Sequence, residues 1–98
     1  MTYAWVITKD LILDPEHDTS DVGVCGPMTT RLSAREIARH QEGRAFQMKD
    51  ADGVLAYEGI YVGPWDVSML DPLEVFGLPR AGCVEILFQD ESGAWEAL

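Results

Sequence analysis

The chain has 98 residues, is 47% hydrophobic and carries a net charge of −10. That length holds one domain, residues 1–98, and the apolar content, with three Trp, three Tyr and three Phe, excludes a disordered polypeptide despite the charge. No apolar run reaches the ~20 residues of a membrane helix. No basic start followed by an apolar stretch opens the sequence, so a cytoplasmic protein is expected.

Tyr3 to Ile12 reads as a first strand, because Tyr3, Trp5 and Ile7 alternate with Ala4, Val6 and Thr8 at the period of a half-buried sheet. Asp14 to Asp21 is loop by composition, and Val22 to Cys25 is a candidate short strand ended by Gly26-Pro27. Ser33 to Glu42 reads as a helix. Ser33 and Glu36 form a capping box, Gly43 stands where a left-handed stop belongs, and Ala34, Ile37, Ala38 and Gln41 share one weakly apolar face.

The clearest pattern is a hairpin. Arg44–Lys49 pairs with Val54–Val62 across Asp50-Ala51-Asp52-Gly53, whose Asp start and Gly end suit a type I turn closed by a left-handed glycine. Asp71 as cap, Pro72 at the first position and Gly77 as stop predict a short helix. Cys83–Gln89 and Ala94–Leu98 form a second hairpin across Asp90-Glu91-Ser92-Gly93, with Val84, Ile86 and Phe88 as its core face. The expected fold is α+β: an antiparallel sheet of four to five strands, one packed helix and a short helical turn.

Charge is unevenly placed. Residues 1–30 hold one Lys against five acids, residues 31–49 hold four Arg and one Lys against two Glu, and residues 50–98 hold one Arg against ten acids. Such a charge disfavours nucleic acid and anionic membrane and favours a basic partner. The acidic candidates are Asp50, Asp52, Asp90 and Glu91 at the hairpin tips, with Glu58, Asp66, Asp71, Glu74 and Glu85. Alternate strand residues lie about 6.6 Å apart, a scale comparable with successive phosphates on DNA at one charge per ~3.4 Å of rise. Carboxylates on a sheet edge or a pair of tips therefore match where a nucleic-acid-binding protein expects phosphates. A generic solvated face is the alternative.

A second candidate surface is apolar. Trp65, Met69 and Phe76, with Leu70 and Leu73, crowd the 63–80 connection, which serves either as an exposed anchor patch or as a lid over the open sheet face. Arg31, Arg35 and Arg39 step by four along the helix, and the acidic excess elsewhere can satisfy them.

Catalytic and cofactor patterns fare poorly. Asp14, Glu16 and Asp18 alternate as in a calcium loop, but Thr19 and Cys25 stand where the EF-hand pattern needs Gly and Glu. Cys25, Cys83, His17 and His40 are too dispersed for a structural zinc site. Both cysteines stand beside glycine in apolar context and read as buried, inert thiols, with a small Cys-dependent enzyme as the alternative. No phosphate-binding glycine pattern follows a strand. The expectation is no enzyme and no cofactor.

Three stretches together carry a resemblance: Met1-Thr2-Tyr3-Ala4-Trp5-Val6-Ile7-Thr8, Gly43-Arg44-Ala45-Phe46-Gln47-Met48 through Asp52-Gly53 to Tyr57-Glu58-Gly59, and Pro72-Leu73-Glu74-Val75-Phe76-Gly77-Leu78-Pro79 with Gly82-Cys83. They resemble a family of small acidic bacterial proteins of about 100 residues, also met in phage and mobile-element settings, for which the resemblance implies no activity. In size and acidity alone the chain is similar to DNA-mimicking inhibitors of restriction and CRISPR systems. The functional expectation is a non-catalytic acidic binding protein, as a nucleic-acid mimic inhibiting a defence or other DNA-binding complex. The alternative is a protein-interaction module or homodimer built on the 63–80 segment.

Overall fold

A computed structural model describes residues 3–11, 24–27 and 32–98. The acidic loop at 14–21, with His17, and Arg31 at the head of the arginine stripe lie outside the described residues. Two Asp-x-x-Gly turns organise most of the sheet. In the first, β3 (Arg44–Asp50) returns as β4 (Leu55–Val62). The Gly53 N–H donates to Asp50 O at 3.0 Å, and Gly53 takes φ +78°, where a side chain would be strained. In the second, β5 (Cys83–Gln89) returns as β6 (Trp95–Ala97) by the same geometry, with Gly93 at φ +89°.

The described sheet has six antiparallel strands in the order β2-β1-β4-β3-β5-β6, with β1 at Ala4–Asp10 and β2 at Val24–Gly26. That exceeds the four or five expected, because the candidate strand before Gly26-Pro27 and the terminal segment both pair, each over three residues. Phe46 pairs with Phe88 and Met48 with Ile86 across β3 and β5, which fixes one apolar face. Trp5, Ile7, Phe46, Met48, Tyr57, Tyr61, Ile86 and Phe88 bury there.

The connection between β4 and β5 covers that face. A 3-10 turn (Val67–Leu70), a π turn (Leu73–Gly77) and α2 (Leu78–Ala81) follow one another, so the helical stretch runs past the expected stop at Gly77. Gly77 itself is helical, and its missing side chain leaves room for Met48 Sδ. The left-handed stop is Gly82, at φ +66°. The π turn ends two residues before Pro79, which has no N–H to donate and whose ring would crowd an α-helical carbonyl within that turn.

The opposite face is covered by α1 (Ala34–Ala38), where Ile37 packs with Ala4, Val6, Ile60 and Val62. The capping box at Ser33 and Glu36 forms as expected, but the helix ends four residues before Glu42. His40 Nδ1 accepts the Glu42 N–H at 3.1 Å, a local bond that competes with the helical ladder. Gly43 is not left-handed. A Cβ there would stand 2.7 Å from Ile60 Cγ2, so the position needs glycine for close packing. Among the described residues no helix is long and apolar enough to cross a membrane.

Candidate functional site

The nine acidic candidates fall into two groups once their partners are known. Five are tied into the fold. Asp50 Oδ1 accepts the N–H groups of Asp52 at 2.9 Å and Val54 at 3.0 Å, and Asp90 Oδ1 accepts those of Ser92 at 2.8 Å and Ala94 at 3.0 Å together with the Ser92 hydroxyl at 2.6 Å. Asp66 caps the 3-10 turn through Ser68. Asp71 accepts the indole N–H of buried Trp5 at 2.7 Å and so latches the connection to the sheet. Glu58 lies mid-sheet between Lys9, 3.8 Å away, and the Gln47 amide. Hydrogen bonds from Ser92 and the turn amides hold the Asp90 carboxyl below its ordinary range, and Ser68 does the same for Asp66.

The remaining four carboxylates reach solvent. Asp52, Glu74 and Glu85 are exposed and make no side-chain hydrogen bond or ion pair among the described residues. Glu91 is exposed and forms one long contact, 3.6 Å, with Arg44. These groups do not form one continuous array. β3 and β5 are antiparallel with Asp50 opposite Cys83 and Phe46 opposite Phe88, so the two acidic tips stand at opposite ends of the sheet. The six steps along β3 separate them by about 20 Å at ~3.4 Å per residue. Each tip carries one carboxylate pinned by turn amides and one exposed to solvent: Asp50 with Asp52, and Asp90 with Glu91, the latter in its one long contact with Arg44.

The apolar candidates separate in the same way. Met69 and Phe76 are buried beneath the connection, Phe76 edge-on to Tyr57 at 4.8 Å, so the segment serves as a lid and these two side chains are not at the surface. Trp65 is 53% exposed. Val67, Val75 and Leu78 are the apolar side chains that the lid leaves outward. The thiols also divide. Cys83 is fully buried and burial pushes its pKa up, which disfavours the reactive thiolate. Cys25 is exposed on edge strand β2, contrary to the buried thiol expected there, and both cysteines are free.

One grouping has no counterpart in the sequence reading. A groove of about 440 Å³ runs between residues 41–45, the Gly63–Trp65 corner and the turn at Asp90. Arg44 lies across it, its guanidinium 4.9 Å from the Trp65 ring centre, with Nη1 donating to Gln89 O at 3.5 Å. Phe88 supports the indole from the core at 6.2 Å. Nothing in the spacing of Arg44, Trp65 and Gln89 announces this contact, since each comes from a different element.

Among the described residues no three His, Cys, Asp or Glu side chains gather as metal ligands. No family model, curated protein or solved structure matches the chain.

Proposed function

We propose that the protein is a non-catalytic acidic binding protein. It presents carboxylates to a basic, nucleic-acid-binding partner and so keeps nucleic acid out of that partner's site. The observation that carries this reading is the pairing at each hairpin tip of a carboxylate fixed by backbone amides with one exposed to solvent and within a partner's reach. Fixed turns hold the backbone at Asp52 and Glu91, so little backbone freedom is lost on binding, which favours association beyond what charge alone supplies. The tips' separation of about 20 Å corresponds to roughly six phosphate steps along one DNA strand. A DNA-binding defence complex of the restriction or CRISPR kind is the partner class this chemistry fits.

The test is the combined variant Asp52→Asn, Glu74→Gln, Glu85→Gln, Glu91→Gln, which removes the free carboxylates and leaves the turn caps in place. Partners are captured from lysate at low and high salt, identified by mass spectrometry and then measured individually against duplex DNA. The expected outcome is a nucleic-acid-binding partner that is retained only at low salt, competes with DNA and is lost by the variant. Equal retention by the variant overturns the reading.

The exposure of Val67, Val75 and Leu78 favours a second reading, an interaction module or homodimer formed on the outer side of the lid. It requires association that resists salt, measured by light scattering, and weakening by about 1–2 kcal/mol or more on Trp65→Ala if that indole anchors the interface.

A further inference from the structure

The groove around Trp65 is built where the free charge of the second hairpin tip meets an exposed aromatic ring. The indole is half exposed, yet it is held from below by Phe88 and does not depend on solvent to define its position. Glu42 and Asp90 line the same groove, and Glu91 at its edge reaches Arg44, the one cation among the described residues that line it. An aromatic face in a groove that also carries carboxylates suits a planar cation, because a guanidinium stacks on the ring and pairs with carboxylates nearby.

We infer that this groove receives an arginine side chain of the basic partner, with Trp65 as the shelf and Glu42, Asp90 and Glu91 as the acidic rim. The inference rests on the basic-partner reading above. In the unbound protein Arg44 occupies the shelf itself and shows that a guanidinium fits. Its polar contacts, 3.5 Å to Gln89 O and 3.6 Å to Glu91, are at the long end for such pairs, so an arginine with better-placed partners displaces it chiefly at the cost of its one cation–aromatic contact. Arg44 thus acts as a placeholder that an incoming side chain must outcompete. Lysine, a compact charge without a planar face, competes less well.

The experiment titrates the full-length ¹⁵N-labelled chain with a short peptide of arginines only and, separately, with one of lysines only. The Trp65 indole N–H resonance is identified from Trp65→Phe. The expected result is a saturable shift of that resonance with the arginine peptide and a weaker response to the lysine peptide. Arg44→Gln should tighten arginine-peptide binding by about three- to tenfold, the range of one cation–aromatic contact. Arg39→Gln, the same charge change on the exposed side of α1, should alter it by less than about twofold. Glu42→Gln and Glu91→Gln, both at exposed positions, should weaken it and guard against a folding defect in the Arg44 variant. If the arginine peptide shifts the amides at Asp52 and Glu85 and leaves Trp65 unmoved, the groove assignment falls and the basic-partner reading stands. If neither peptide moves any resonance, both fall.

Discussion

The two hairpin turns are close to chemical duplicates. Each opens on an aspartate whose Oδ1 accepts N–H groups two and four residues ahead, and each closes on a left-handed glycine. Their surroundings differ entirely. The Asp50 turn joins the two central strands β3 and β4, beside buried Cys83, and its free carboxylate on Asp52 meets no cation among the described residues. The Asp90 turn joins β5 to the three-residue edge strand β6, and its free carboxylate on Glu91 faces Arg44 above an aromatic shelf. Four residues settle the turn, whereas position in the sheet settles what surrounds it. A carboxylate that caps a turn contributes to stability, and one a residue or two away is exposed to solvent.

Alanine at the two caps separates these roles most strongly. Asp50→Ala removes the acceptor for two amides in the central hairpin and should cost about 1–2 kcal/mol, a fall in melting temperature of roughly 5–10 °C. Asp90→Ala breaks the same local pattern at an edge. It should lower the melting temperature less, with lost amide-exchange protection confined to residues 90–98, because a short edge strand opens without unfolding the sheet. Equal effects on global stability would break the comparison.

Acid should act on the second turn through its cap. The Asp90 carboxyl is depressed in the folded state below the ordinary value of 3.8. Its contribution is therefore fully present above that value and is lost as pH falls through the folded pKa. Asp90→Asn should flatten the acid limb of a plot of melting temperature against pH below about 4. At the other extreme, burial raises the Tyr57 and Tyr61 pKa values above 10.0. Stability from keeping these phenols neutral is present below that value and is lost as pH rises through the folded values. The smallest stability effect belongs to the free acid of the first tip, where Asp52→Asn should change stability by no more than about 0.5 kcal/mol, its consequence appearing only in partner binding.

Much of the local architecture was legible from residue order. The Asp-x-x-Gly turns, the capping box at Ser33 and Glu36, and the alternation of Trp5 and Ile7 are short-range patterns set by backbone sterics and nearby hydrogen bonds. At two glycines a longer-range contact decided. Gly77 and Gly43 look like helix stops in sequence, but close approach to Met48 and Ile60 is what requires a glycine at each. The acidic list was legible as composition and illegible as roles, since Asp71 looks no different from Glu74 until Trp5 is seen to donate to it.

The sequence by itself determined an acidic antiparallel sheet with two hairpins, because turn chemistry and the period of two act within a few residues. Only the tertiary structure decided that the acidic tips face opposite ways, that Met69 and Phe76 are lid and not surface, and that Arg44 lies over Trp65. Those outcomes depend on strand order and on packing between segments 21 to 66 positions apart, such as Arg44 with Trp65 and Trp5 with Asp71, and no local pattern encodes them.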